Sequence, residues 1–414
     1  MVSNAVENVA FRSAKEAASC QPNSDALATL LVFSDDWGRH PSSCQHLMRQ
    51  LLDRYNVIWV NTIGTRAPRL DMATLSRAAG KLKSWIGPSS VAQRPVNHRD
   101  EPGGGMNLEP TVTSPRMWPW FTKSIDRRIN KFALSKQLTK VLHNAPGPKI
   151  AVTTLPITAD LVGEIPVDKW VYYCVDDFSE WPGLDGSTLK RMDDLMLARA
   201  DEIVAVSDRL QEIAREAGRD SHLLTHGVDI DFWRSGERTD VFKDVDGPVA
   251  LFWGVVDQRM DVPTVKRLVE RMDGGAVMFY GPQQDPHPEL LSMERCHFPG
   301  PMPFHELPSL AASADVLIMP YADLPVTRAM QPLKLKEYLA TGRPTVVNPL
   351  PAVTEIADQM DVADSPDHFA DLVLERIKSG TPKNQRTARR ALEAESWRAK
   401  SAQLEEWIME GVVQ

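Results

Sequence analysis

Short unbroken apolar runs recur along this chain. Each is followed by a polar loop and then by apolar residues at helical spacing. ATLLVF at 28–33 runs into SDDWGRHPSS, after which Leu47, Leu51 and Leu52 mark one face of a helix expected over 43–55, capped by Ser42 or Ser43. NVIWV at 56–60, KIAVT at 149–153, WVYYCV at 170–175 and EIVAV at 202–206 are further runs. Helices are expected over about 120–142, 187–199 and 207–217, the last capped by Ser207. Runs that are apolar throughout, rather than alternating, belong to parallel sheets covered on both faces.

The scheme then repeats with PVALFW at 248–253, AVMFY at 276–280, VLIMP at 316–320 and PTVVN at 344–348. A helix is expected at 262–272 between the first two. The acidic, polar stretch 234–247 reads as a linker. The expected fold class is therefore α/β, with two doubly wound, Rossmann-like parallel-sheet domains at 25–233 and 248–384 facing a central cleft. Residues 1–24 read as a flexible tail and 385–414 as a C-terminal segment whose helix is expected over about 385–409. In such sheets ligands sit beyond the carboxyl ends of the strands, so the loops there are where chemistry belongs.

Composition narrows the class. The 414 residues are 43% hydrophobic and 25% charged, as in soluble globular proteins. Four cysteines lie far apart with no CxxC spacing, which argues against a zinc site or a disulfide framework and fits a reducing compartment. No run of about 18 apolar residues suggests a membrane span, and the first 24 residues lack the apolar core of a secretory signal. Net charge is −8, yet the stretch from Arg66 to Lys140 carries fourteen Lys/Arg against five Asp/Glu. It also holds KLKSWIG at 81–87 and PRMWPWFTKSIDRRINKFALSKQLTK at 115–140. Tryptophans among cations suit an anionic membrane surface; a solvated basic helix whose tryptophans belong to the core is the plainer alternative. No nucleic-acid partner is expected, since the chain is acidic overall and carries no recognisable module for one.

QPLKLKEYLATGRPTV at 331–346 reads as a short helix entering a strand. Pro332 suits the first helical position, Gly342 a left-handed cap, and Pro344 ends the helix. Lys334 then lies among free backbone N–H groups, a natural anion site. Glu337, one turn deeper, can accept hydrogen bonds from a diol such as a ribose; a surface ion pair between the two is the alternative. GVVDQRMD at 254–261 places Gly254 at a tight turn and Arg259 where it can reach a diphosphate. AVMFYGP ends in Gly281 and Pro282, where a base can lie against bare backbone. Phosphate, sugar and base contacts thus share one edge, with neither GxxxxGK[ST] nor a strand-borne GxGxxG present.

With these pieces in hand, the chain resembles GT-B glycosyltransferases, close to the large family-4 group and its bacterial polysaccharide relatives. VYYCVDDF at 171–178, ARADEIVAVSDRL at 198–210, HGVDIDFW at 226–233, LFWGVVDQRMD at 251–261, HFPGPMPFHELPSLAASADVLIMPY at 297–321 and PLKLKEYLATGRPTVV at 332–347 carry the resemblance in order. It implies a nucleotide-diphosphate-sugar donor, of UDP or GDP type, on the C-terminal half and an acceptor on the N-terminal half. Arg259 and Lys334 would hold the phosphates, Glu337 the ribose, and Gly281, Pro282 and the 301–304 loop the base. Two departures stand out. Ala329 occupies the position eight before Glu337 where the family usually has a second glutamate, so backbone N–H groups near Met330 and Gln331 are expected to substitute. His226 stands where the loop before GVD commonly carries Asn.

The strand at 170–175 ends in Asp176 and Asp177, facing the bound donor. Transfer to a hydroxyl needs a base, or a group that steadies an oxocarbenium-like centre. Asp176 fits either role; one of the pair is expected to cap the following turn. The pair is not a DxD motif, and neither a metal nor another cofactor is expected. Asp36, Arg39 and His40, with Asp35, follow the first strand and point at the cleft, where acceptor or donor phosphate is one reading and ordinary loop polarity the other. The reading is a cytoplasmic glycosyltransferase, peripheral on the membrane, acting on a lipid-linked or growing glycan acceptor. A non-catalytic nucleotide-binding scaffold of a polysaccharide-synthesis complex and a nucleotide-sugar epimerase are the alternatives.

Overall fold

A computed structural model describes residues 27–39, 41–61, 108–181 and 183–412. The tail at 1–24, His40, and residues 62–107, including the 66–107 part of the basic stretch, lie outside the described residues. The N-terminal sheet comprises β1 (Thr29–Phe33), β2 (Asn56–Val60), β3 (Thr111–Thr113), β4 (Lys149–Thr153), β5 (Lys169–Cys174), β6 (Glu202–Ala205) and β7 (His222–Leu223). Their order is β3-β2-β1-β4-β5-β6-β7, every pairing parallel. A second parallel sheet follows, built from β8 (Val249–Trp253), β9 (Ala276–Tyr280), β10 (Cys296–Gly300), β11 (Val316–Met319), β12 (Thr345–Val347) and β13 (Asp361–Val362). Its order is β10-β9-β8-β11-β12-β13. The expected two-domain, Rossmann-like GT-B architecture is what forms. β3, β7, β10 and β13 were not expected. All four sit toward sheet edges, where short or irregular strands carry little apolar signal.

The apolar runs are fully buried, as helices on both faces require. TLLVF, NVIWV and VALFW are buried at every position. Each sheet has its own core. Phe232 and Trp233 belong to the second core, so the chain passes between domains at 225–228, ahead of the 234–247 stretch. It returns between Leu392 and Trp397, because Leu392 packs in the second core and Trp397, Leu404 and Ile408 in the first. The two crossings touch: Val228 N–H donates to Glu395 O at 2.9 Å. The helix expected over 385–409 is broken accordingly into Lys383–Ala388, a 3-10 segment at Arg389–Glu395, and Trp397–Met409 capped by Ser396.

Candidate functional site

β8 and β9 end side by side, and each is followed by glycine. Gly254 has φ +134° and Gly281 φ +146°. A Cβ on Gly281 would collide with the Gly254 carbonyl, and one on Gly254 would overlap the Lys334 ammonium group. Position 281 therefore needs glycine for space as well as backbone conformation, while position 254 needs it for its positive φ, since Lys334 could move aside. Hydrogen bonds continue past the ladder, from Gly254 N–H to Tyr280 O at 2.8 Å and from Val256 N–H to Pro282 O at 3.0 Å. The two bare turns thus form one ledge.

Lys334 projects onto this ledge from the helix Leu333–Ala340. Pro332 is the N-cap rather than the first helical residue, one position earlier than expected. The Lys334 ammonium donates to Tyr321 Oη and lies 4.7 Å from the Phe252 ring and 4.9 Å from the Tyr321 ring. Aromatic faces hold the cation without neutralising it. The ion pair with Glu337 does not form. Glu337 is only 8% exposed and accepts from Trp253 Nε1 at 3.3 Å. Burial pushes its carboxyl up to about 7, against the opposing pull of the Trp253 N–H and the Lys334 charge.

Arg259 is buried, and Asp257 grips one edge of it, accepting from Nε at 2.9 and 3.0 Å and pairing with Nη2 at 2.8 Å. Its guanidinium lies 4.7 Å from the Trp181 ring, a residue of the other domain, and 5.4 Å from Tyr321. Asp257 occupies the fork expected for a diphosphate, which leaves the Nη1 side, 3.8 Å from Met330 Sδ.

Across the cleft, the two aspartates after β5 divide. Asp177 Oδ1 accepts from Ser179 N–H at 3.0 Å and from Ser179 Oγ at 2.5 Å, capping the turn. Asp176 is half-buried and turned toward the Arg259 charge. Burial pushes its carboxyl up to about 7, partly countered by Arg259. One carboxyl group thus stays available while the other shapes the loop.

Of the two backbone N–H groups expected to substitute for the missing glutamate, that of Met330 is taken. Met330 N–H donates to Val326 O at 3.1 Å and cannot also serve a sugar. The Gln331 side chain accepts from His226 N–H at 2.5 Å, and Ser207 Oγ donates to Ala329 O at 2.6 Å. This segment latches the domains together. His226 is buried, and burial followed by the Lys336 charge pushes its imidazole down to about 3. After β1, Asp36 and Arg39 pair with each other at 3.5 Å in exposed positions. Asp35 instead organises the loop, accepting from Ser42 at 2.7 Å, Ser34 at 2.9 Å and Gln45 at 2.5 Å.

Sequence reasoning missed Trp253, Tyr321, Asp257 and Trp181. Trp253 ends β8 and Tyr321 lies two residues beyond β11, so the strand-end rule that found Gly254 could have found both. Trp181 sits in an irregular loop, and only the approach of two domains brings it to Arg259.

Two parallel-sheet domains with facing strand-end loops, joined by a paired crossing, make up the two-domain GT-B fold. Residues 254–379 match the family model described as Glycosyl transferases group 1. Over 172 residues the chain is 28% identical to TuaH of Bacillus subtilis strain 168, provisionally named as a teichuronic acid biosynthesis glycosyltransferase. That alignment covers 39% of this chain and 43% of TuaH, less than half of either. Among solved structures, HepE of Anabaena in complex with UDP and glucose is similar at TM-score 0.62 and 13% identity, covering 92% of this chain and 99% of HepE. Sucrose-phosphate synthase of Thermosynechococcus elongatus is similar at TM-score 0.63 and 12% identity, covering 92% and 98%. At such identities these two share the fold with this chain.

Proposed function

We propose that this chain is a glycosyltransferase that moves a sugar from a nucleotide-diphosphate-sugar to a hydroxyl of a lipid-linked or growing glycan. The carrying observation is the opposition of charge across the cleft. Lys334, Arg259 and a bare glycine ledge lie on one side, and the Asp176 carboxyl on the other. The cations would steady the departing diphosphate, which makes metal-independent transfer part of the proposal. Asp176 would take the acceptor proton or hold the developing positive charge. Glu337 would receive the ribose hydroxyls. Because HepE was solved with UDP-glucose, UDP-sugars are the first donors to test.

Cytoplasmic residence at the membrane face belongs to the same proposal. The described cysteines Cys44, Cys174 and Cys296 are free and buried, which suits a reducing compartment. No helix among the described residues is long and apolar enough to cross a membrane. A thermal-shift panel of UDP- and GDP-sugars, followed by mass spectrometry of products formed on lipid extracts with and without EDTA, tests the reading. Stabilisation by a sugar nucleotide and a product one glycosyl unit heavier than the lipid are expected. Binding without any product would favour a scaffold, and loss of product with EDTA would overturn metal independence.

A further inference from the structure

The helix Ser124–Leu142 carries apolar residues on two opposite faces. Leu134, Leu138 and Leu142 enter the N-terminal core, with Asp126 and Asn130 on the same side. Asp126 accepts from Trp118 Nε1 at 2.9 Å, and Asn130 ties down Trp118 N–H at 2.6 Å and Trp120 O at 2.8 Å. The core accounts for that face. At 3.6 residues per turn, Ile125, Ile129 and Phe132 fall on the opposite side. They are 55%, 43% and 74% exposed. Three large apolar side chains in one row facing water mark a surface with a missing partner.

Charge identifies the partner. Asp126 is the helix's single acidic residue and is buried. Arg127 and Lys131, nearer the core side, are neutralised by Asp160 at 2.6 Å and Glu164 at 2.9 Å. Arg128, Lys136 and Lys140 form no ion pair among the described residues and are exposed. Arg128 and Lys140 flank the apolar row, while Lys136 extends it by one turn. On this helix, the charged residues that border the exposed apolar row are all cations. We infer that this face of Ser124–Leu142 docks on an anionic lipid bilayer, with Phe132, Ile129 and Ile125 entering the acyl boundary and Arg128, Lys136 and Lys140 meeting headgroup phosphates. This rests on the membrane-facing reading above and deepens it by naming the contact. Docking there would hold the N-terminal domain, and so its side of the cleft, against the surface that bears a lipid-linked acceptor.

Vesicle flotation of the full chain tests this, using phosphatidylcholine vesicles with and without 30–40% phosphatidylglycerol (about that proportion gives a strongly anionic surface). Parent protein is expected to float with the anionic vesicles and to be released by salt. Replacing Ile129→Ser together with Phe132→Ser should weaken binding at least about tenfold, or about 1.4 kcal/mol. Arg128→Glu with Lys136→Glu should abolish the salt-sensitive part. All four positions are exposed, so UDP-sugar thermal shifts should match the parent's, which separates this test from that of the transfer reaction. Equal recovery on neutral vesicles would overturn the inference. So would unaltered binding by both variants, which would place any affinity in the basic sequence at 66–107. A Phe132→Ser change that turned a dimer into a monomer, with vesicle binding unaltered, would assign the face to a second copy instead.

Discussion

At the residue scale, the cleft is governed by which ionisable groups are neutralised and which are not. Arg259 is largely committed to Asp257, whereas Lys334 rests on aromatic rings with no carboxylate salt bridge among the described residues. Lys334→Ala is therefore expected to weaken UDP-sugar affinity more than Arg259→Ala, by roughly 1.5–3 kcal/mol, the range for hydrogen bonds to charged groups. Isothermal titration would show it. Asp176→Asn should lower transfer by about 10²–10⁴ while leaving donor affinity close to the parent's. Because the ionised form is the active one, kcat/KM should climb about tenfold per pH unit up to about 7 and then level.

Glu337 gives a stability signature of its own. Its folded value of about 7 lies above the ordinary 4.5, so between those values the folded protein keeps a proton that the unfolded chain has lost. The resulting stabilisation is complete below about pH 4.5 and is lost as pH rises through 7. Glu337→Gln should accordingly be more stable than the parent at pH 8 by on the order of 2–3 kcal/mol, with little difference near pH 5. Urea midpoints at the two pH values would decide it.

At the scale of elements, the helix Trp397–Met409 belongs to the N-terminal domain although the C-terminal domain precedes it in the chain. Trp397 is buried and stacks on His46 at 4.6 Å; Trp407 stacks on His222 at 4.4 Å. Lys169 Nζ donates to Trp407 O at 2.8 Å and Glu410 O at 2.6 Å, placing a cation at the helix's carbonyl end. Trp397→Ala should cost about 3–5 kcal/mol, as for other buried aromatic truncations. Chemical denaturation would report it as a lower midpoint at unchanged slope. Period and capping made the central strands and most helices readable. The same signals ran 385–409 together as one helix. The break at 389–396 exists because the chain must leave one core and enter the other there, a demand no local pattern expresses.

On the scale of the whole molecule, the two crossings meet in a small ionic knot. Glu395 pairs with Lys400 at 2.8 Å and with Lys336, while Lys336 Nζ also reaches His226 O at 2.6 Å and Lys400 Nζ reaches Thr225 Oγ1 at 3.0 Å. Partial burial opposes ionisation of Glu395, but the two lysines more than offset it and hold its carboxyl below the usual range. Its contribution is therefore present above the ordinary carboxylate value and fades as pH falls through the lowered one. Glu395→Ala would leave both lysines without their carboxylate. We expect a loss of about 1–3 kcal/mol, reduced from the fully buried case because Glu395 is partly exposed, and faster limited proteolysis near 225–228 and 395–396.

Sequence alone determined the two parallel sheets, because helices on both faces demand unbroken apolar strands, and those runs survive in the primary structure. It likewise determined the glycine turns and the Lys334 and Glu337 positions, because strand ends and helix starts are local signals. Tertiary structure decided the rest. It chose Asp177 as the turn cap and left Asp176 facing Arg259. It seated Trp181 on that guanidinium, tied Met330 N–H to Val326, and turned three apolar residues of one helix away from the core. The approaches of Asp176 and Trp181 to Arg259 join groups far apart in sequence, which only the packing of the two domains can specify; the Asp177 and Met330 bonds are local, and the surrounding fold decides which local partner is taken.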